Sequence, residues 1–440
     1  MALSGIQIYK LLPQTNCKEC GFPTCLAFAM KLAAKQVELS ACPYVTEESI
    51  ALLAESSAPP IRLVSLKSDG YETKAGNEVV LFRHEKTFYN KPGLFVKVVD
   101  TESPEAIKAK ISAADRYVVN YVGIELTVDG FAIEAASGDP EKFSAAVKLA
   151  REASKRPLIL VSRDPSIISA GLKALEAGES ALIHGADKSN WEVMAALAQE
   201  HKAALAVIST DLETSADLTE KIRGKGVEDL AIDPDTTGLG AMLTFNTIAR
   251  RMALKKNFKP LGFPIIVFPK DLVAATQAIS KYAGFVVIDD FKPDEVYPLL
   301  VLRQNIYTDP QKPIQVQPGV YEINNPNSEA PVLVTTNFSI TYFSVANEVE
   351  GSGLPAWLMV CDAEGMSVLT AWAAGKFDAE RIAKSVKGSD LASKVSPKRV
   401  VLPGHVAVLS GELEEELPGW DVRVGPREAV DIPKFLKEAL

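Results

Sequence analysis

Cysteine and histidine are scarce in this sequence, five and four residues of 440. Five cysteines cannot make a disulfide framework for a chain of this length, and a reducing cytoplasm would keep them as thiols. No block of five or six basic residues occurs, and 47 Lys and Arg against 56 Asp and Glu leave a formal charge of −9. That balance argues against nucleic acid and anionic membrane surfaces as partners. No uninterrupted apolar run approaches the ~18 residues of a membrane-spanning helix. Met1–Lys10 also lacks the basic, apolar, small-residue order of a signal peptide. The expectation is a soluble, cytoplasmic protein. What the sequence does have is 47% apolar residues and, at about 150 residues per domain, length for about three domains.

Residues 1–57 read as a small helical module, with helices expected over 6–12, 27–36 and 47–53 between cysteine-bearing turns. Ser56-Ser57-Ala58-Pro59-Pro60 ends it as a hinge or tether, because two prolines fix φ and remove two amide donors. So small a module buries little surface and needs a staple such as a metal centre. A hairpin is expected over 79–83 and 86–88. Short β-branched runs follow at 95–99, 117–121, 158–161, 181–184, 204–208, 230–232, 265–267 and 285–288. Amphipathic stretches alternate with them, among them 140–153, 165–176, 190–200, 239–253, 271–282 and 294–302. Eight strand-then-helix units across 61–303 fit a (β/α)8 TIM barrel better than an open sheet. Prolines and asparagines crowd 304–330, a second linker. Over 331–440 the alternation resumes, with strands expected at 332–336, 357–361, 368–371, 399–402 and 422–424. Helices are expected at 339–348, 379–386 and 406–417 and at the chain's end, which makes a small doubly wound, Rossmann-like domain. The whole is a multidomain α/β chain.

Four of the five cysteines fall in the N-terminal module, as Cys17-x2-Cys20-x4-Cys25-x16-Cys42 followed by Pro43. Four soft thiolates suit a tetrahedral zinc or an iron–sulfur cluster. Zinc motifs usually pair ligands in two short knuckles, whereas here three cysteines crowd one loop and a distant fourth precedes a proline, a layout that favours a 4Fe-4S cubane. Gly21 and Pro23 let the backbone wrap closely and aim amides at sulfurs. In the C-terminal domain, ligands of doubly wound sheets sit beyond the strands' carboxyl ends. The candidates there are Thr336, Ser339, Thr341 and Ser344 after the first strand, then Ser367, Thr370, Ala371, Trp372 and Ala373, then Gly404, and Gly425 with Pro426. Plain turn chemistry would use many of the same residue types.

The cysteine motif resembles the iron–sulfur domain of the corrinoid iron–sulfur proteins of the reductive acetyl-CoA pathway. The resemblance covers the whole chain, since the large (gamma) subunit of that family runs cluster domain, barrel, linker, corrinoid domain. Thr335-Thr336-Asn337-Phe338-Ser339, the run from Glu364 to Gly375, and Leu409-Ser410-Gly411-Glu412-Leu413-Glu414 look like its C-terminal segments. The resemblance implies a methyl carrier. Its cobalt(I) corrinoid takes a methyl group from methyltetrahydrofolate through a separate methyltransferase and delivers it to acetyl-CoA synthase/CO dehydrogenase, while the 4Fe-4S cluster reduces cobalt(II) back. It also implies a heterodimer with the small subunit and a reductive activator. No His in this sequence stands in an Asp-x-His-x-x-Gly motif, so the corrinoid is expected base-off with no His ligand.

Elsewhere the bland reading prevails. Cys361 lies in the apolar run Trp357–Val360 and reads as an inert buried thiol. His84, His184, His201 and His405 stand apart and read as packing or surface residues. Asp233-Pro234-Asp235-Thr236-Thr237-Gly238 and Asp289-Asp290 follow barrel strands, where catalytic groups of barrel enzymes sit. The first is equally good capping chemistry for the next helix. Two rival readings are a pterin-dependent barrel methyltransferase with an electron-transfer module, and a zinc-stapled scaffold.

Overall fold

The computed structural model describes all residues except 1–3, 34–35, 47–48, 51–52, 54–58, 237, 310–312 and 439–440. Most of the expected 47–53 helix and the Ser56-Ser57-Ala58 part of the tether lie outside the described residues. The chain divides into two compact units, residues 1–117 with 127–307, and 118–126 with 308–440.

In the first unit, strands β1 (Val64–Ser68) and β2 (Tyr71–Ala75) pair antiparallel. Asp69 and Gly70 take φ of 31° and 85°, the two left-handed residues of a tight hairpin turn. This, and not 79–88, is the opening hairpin, because no such turn pair interrupts the later segment. Val64, Leu66 and Ala75 belong to the apolar core that fills the barrel interior. The barrel is closed and has eight strands, all paired in parallel. Its first two strands are β3 (Gly93–Val99) and, beyond a short two-stranded hairpin, β6 (Gly130–Glu134). The other six are β7 (Leu158–Val161), β8 (Leu182–Ala186), β9 (Ala204–Ile208), β10 (Leu230–Asp233), β11 (Ile265–Val267) and β12 (Ala283–Ile288). Its inner face carries Phe95, Ala132, Ile159, Leu182, Ala206, Ala231, Ile266, Phe285 and Val287. Several flanking helices begin with a capping Ser or Asp followed by Pro: Ser103-Pro104, Asp139-Pro140 and Asp164-Pro165.

The expected strand at 117–121 is corrected. Residues 119–121 form β4, which pairs antiparallel with β5 (Ile124–Leu126) as a hairpin grouped with the second unit. The barrel strand is β6, whose first residue must be glycine, since a Cβ there would collide with the Pro157 carbonyl and the Phe95 ring.

The second unit is built on a five-stranded sheet ordered β13-β15-β14-β16-β17. These are β13 (Gly319–Ile323), β14 (Val332–Thr336), β15 (Ala356–Cys361), β16 (Arg399–Leu402) and β17 (Asp421–Val424). Four run parallel, and β13, from within the segment read as linker, adds an antiparallel edge to β15. Apolar residues cover both faces, Val332, Val334, Met359 and Val400 on one and Leu333, Leu358, Val360 and Val401 on the other. Residues 368–371, expected as a strand, lie in helix Val368–Ala373. Four apolar residues cannot distinguish the two states by themselves, and the sheet already has its neighbours.

Candidate functional site

The N-terminal module folds around few side chains. The Ser4 hydroxyl accepts the Gln7 amide and Gln7 returns a bond to Ser4, starting helix Gly5–Leu11. Asn16 Oδ1 accepts the Cys25 amide at 2.8 Å and Thr24 Oγ1 accepts that of Ala27 at 3.0 Å, opening helix Cys25–Ala33. Cys42 closes a 3-10 turn over Leu39–Ala41. Ile8, Leu12, Cys25, Phe28, Ala29 and Leu53 form the core, with Cys20, Phe22 and Cys42 packed against it. Cys25 is therefore buried, Cys20 and Cys42 half-buried and Cys17 exposed.

Two features bind the cysteine loops together. Gln14, Asn16, Lys18 and Gly21 all take positive φ, from 52° to 82°, so the backbone winds tightly through the loop that carries Cys17 and Cys20. The Asn16 amide already donates to Cys25 Sγ at 3.4 Å. Tyr44 Oη donates to Glu19 Oε1 at 2.8 Å, tying the Cys42 turn to the Cys17–Cys20 loop. That Glu19 carboxylate raises the Tyr44 pKa, with smaller contributions from Cys17 and Cys42. Among the described residues no three His, Cys, Asp or Glu side chains converge as ligands of a single metal ion. By donor chemistry the four thiols fit a cluster held by soft anionic sulfurs.

In the second unit the chain passes from β14 outward to β15, then returns to the other side of β14 through β16. Beside β14 lies the reversal point at which open parallel sheets form their binding crevice. β14 and β16 pair only at Val332–Val400 and Leu333–Val401. Beyond that the strands part, and a cavity of about 300 Å3 opens at their carboxyl ends. Thr341, Ser344, Ser367, Gly425 and Pro426 line it, as the sequence suggested. Thr336 and Ser339 lie fully buried where β14 meets helix Ser339–Ser352. Their hydroxyls, with that of Thr335, have no hydrogen-bond partner among the described residues. Gly404 supports the rim, since a Cβ there would stand 2.6 Å from the Gly425 carbonyl oxygen.

Thr370, Ala371, Trp372 and Ala373 are absent from the lining. Ala371 is buried in the core, Trp372 is exposed, and Thr370 Oγ1 lies 3.0 Å from Ser367 Oγ. Sequence reasoning missed the apolar wall of Leu333, Val334, Ile340, Val401, Leu402 and Ile432, and also Arg427 and His405. His405 Nε2 stands 3.7 Å from Glu428 Oε1. Asn337, which the sequence offered only as part of the Thr335–Ser339 segment, is buried and accepts the Ala363 and Gly365 amides at 2.9 and 3.0 Å. Asn337 donates to Gln315 and Asp362 as well, fixing the loop after β15.

The sequence profile of the family described as CO dehydrogenase/acetyl-CoA synthase delta subunit matches residues 64–436. A second profile, for an Fe-S cluster family, matches residues 12–44. The chain is 42% identical to the corrinoid/iron-sulfur protein large subunit of Moorella thermoacetica, over 100% of both chains. It is 33% identical to the acetyl-CoA decarbonylase/synthase complex subunit gamma of Methanopyrus kandleri, and 34% identical to that of Archaeoglobus fulgidus. Each of these matches covers 99% of this chain and 98% of the relative.

Proposed function

The chain belongs to the family of corrinoid/iron-sulfur protein large subunits, and from that premise we propose that it is a methyl carrier holding a corrinoid in the C-terminal crevice and a 4Fe-4S cluster on Cys17, Cys20, Cys25 and Cys42. When bound, the corrinoid supplies a cobalt nucleophile that accepts and releases a methyl group, and the cluster supplies single electrons to restore it. The observation that carries this reading is the Thr335 hydroxyl, buried, without a partner among the described residues and on a residue that lines the cavity, with the equally unpartnered hydroxyls of Thr336 and Ser339 at the end of the same strand and the turn after it. A buried hydroxyl without a partner costs about 1–3 kcal/mol, and polar groups of a bound macrocycle would remove that cost.

The crevice divides the work by chemistry. Its apolar wall would hold a flat aromatic part of the corrinoid, and because 300 Å3 is at the small end of ligand sites, the residues at the mouth would hold the rest. The rim, formed by Gly425 and Pro426 over Gly404, allows close backbone approach. Asn337 holds the neighbouring loop rigid. No histidine of the chain would be called on to hold the corrinoid, which is proposed to bind base-off, and His405 would stay beside Glu428.

The partners that follow are a small corrinoid iron–sulfur protein subunit, which forms a heterodimer over the exposed side of the macrocycle, a methyltetrahydrofolate methyltransferase, acetyl-CoA synthase/CO dehydrogenase, and a reductive activator. The complex named for the archaeal relatives supports such an assembly. Among the described residues no helix is long and apolar enough to cross a membrane, and we place the protein in the cytoplasm. The test is metal analysis and spectroscopy of the full chain purified anaerobically with its small subunit. About one cobalt and four irons per chain, with a cobalt(II) resonance lacking nitrogen hyperfine splitting, are expected. Stoichiometric zinc without cobalt would favour the scaffold reading and sink this one.

A further inference from the structure

Along the barrel strands, inward-facing side chains follow the two-residue alternation. Phe95, Ala132, Leu182, Ala231, Ile266 and Val287 fill the interior. Two residues further on, at the carboxyl ends, the same face carries Lys97, Glu134, His184, Asp233, Phe268 and Asp289. Five ionisable groups therefore crown an apolar interior, at the end of the barrel where side chains from several strands meet a ligand in barrel enzymes.

Two groups form within that layer. Lys97 Nζ lies 3.1 Å from Glu134 Oε2 and 2.7 Å from Asp289 Oδ1. These three satisfy one another as ion pairs. His184 and Asp233 differ, being buried with Nε2 2.6 Å from Oδ2, while Asp233 Oδ1 accepts the Asp235 amide at 2.7 Å. Nε2 is committed to the Asp233 carboxylate, so Nδ1 is the ring nitrogen left to meet a ligand, and in the neutral ring it accepts. Nδ1 has no partner among the described residues. Phe268 packs on the imidazole, centroid to centroid 4.6 Å. The aim of His184 is built into the strand: β8 breaks register between His184 and Ala186. Gly185 there takes φ 155°, and a Cβ on it would collide with the Ser162 carbonyl. Bulges of this kind redirect the adjacent side chain. At this end of the barrel the carboxylates Glu134, Asp187, Asp233, Asp235 and Asp289 outnumber the side-chain cations Lys97 and Arg163.

We propose that the carboxyl-end mouth of the barrel is a small-molecule site separate from both metal centres, taking a planar cationic nitrogen base that donates N–H to His184 Nδ1 and lies against Phe268. Carboxylate excess selects the charge, and the open acceptor selects a donor. The test uses the full chain labelled with 15N-histidine, whose four histidines give a resolvable set of ring signals. Benzamidine, a planar cation rich in N–H, is titrated against benzoate, its anionic isostere. Benzamidine is expected to shift one histidine's ring signals, the set missing from His184→Gln, and benzoate is not. Asp289→Asn, at an exposed side chain, is expected to weaken benzamidine about threefold, the scale of a solvent-screened charge. That variant carries the test if His184→Gln fails to fold. No shift at millimolar benzamidine, an equal shift with benzoate, or unchanged affinity in Asp289→Asn would overturn the proposal.

Discussion

The N-terminal module gathers Ile8, Leu12, Phe28, Ala29 and Leu53 around one buried thiol, whereas the C-terminal sheet is covered on both faces and buries Phe377, Ile382, Val386 and Leu413 completely on one of them alone. The first has too little core to pay for its own ordering and must draw stability from whatever its cysteines bind. The second holds its shape without help and leaves only a few strand-end hydroxyls for a ligand to satisfy. Ligand dependence of the fold is thus expected to be nearly total in one region and slight in the other.

The sharpest way to break that contrast is to remove iron. Chelation under anaerobic conditions, or Cys42→Ala, is expected to abolish iron binding and leave the amides of residues 4–46 unprotected from hydrogen exchange. The barrel and C-terminal sheet should keep their protection and cobalt its site. Protein lacking residues 1–57 should accordingly transfer a methyl group normally when already reduced and fail to be reactivated. If it lost the first, pre-reduced turnover as well, the two regions would not be independent. A smaller effect is expected from damage to the self-sufficient region: Phe377→Ala, at a fully buried ring, should cost about 3–5 kcal/mol. Denaturant titration should show this in the C-terminal transition and leave iron content unchanged.

Smaller again is the effect at the hydroxyls. Thr336→Val removes a buried hydroxyl that lacks a partner while keeping nearly the same volume. Ligand-free protein should become more stable by about 1 kcal/mol or more, and the corrinoid-loaded protein should lose cobalt faster on dialysis. A loss of stability in the ligand-free state would mean that the hydroxyl has a partner there.

The two regions also differ in how much of them the sequence discloses. Cysteine spacing is a property of the chain itself, so Cys17, Cys20, Cys25 and Cys42 stand out before any fold is known, and the barrel follows from eight regularly spaced apolar runs. The misplaced strand at 117–121 shows the limit. Gly130-Phe131-Ala132-Ile133-Glu134 is led by a glycine that marks a break locally, although the close approach of Pro157 and Phe95 is what demands it. The unpartnered hydroxyls could not be foreseen, because Thr and Ser ordinarily find a partner when buried and only the packed strand end and helix start show that these three do not. His184 and Asp233 are 49 residues apart and meet only because β8 and β10 share the barrel's inner face. Thr370 to Ala373 were proposed for their residue types, and helix Val368–Ala373 turns them away from the cavity.

The smallest expected effect separates the cysteines of the two regions. The thiolate is the nucleophile in alkylation, and burial pushes the Cys361 thiol up to about 12. Against an ordinary thiol near 9, its reactive fraction at pH 8 falls by about a thousandfold. Access is closed too, since Cys361 is 1% exposed among Val334, Met359 and Val386. Native protein with its cluster should therefore incorporate no iodoacetamide. Iron-free protein should take it up at the four N-terminal cysteines, and Cys361 should react only in denaturant. Cys361→Ala should leave iron, cobalt and the first two labelling results unchanged, with a stability loss below that of Phe377→Ala because a thiol fills less of the core than a ring. Labelling of Cys361 in native protein at the rate of the four would show that the C-terminal core opens readily, and the contrast between a self-sufficient region and a stapled one would fail at that point.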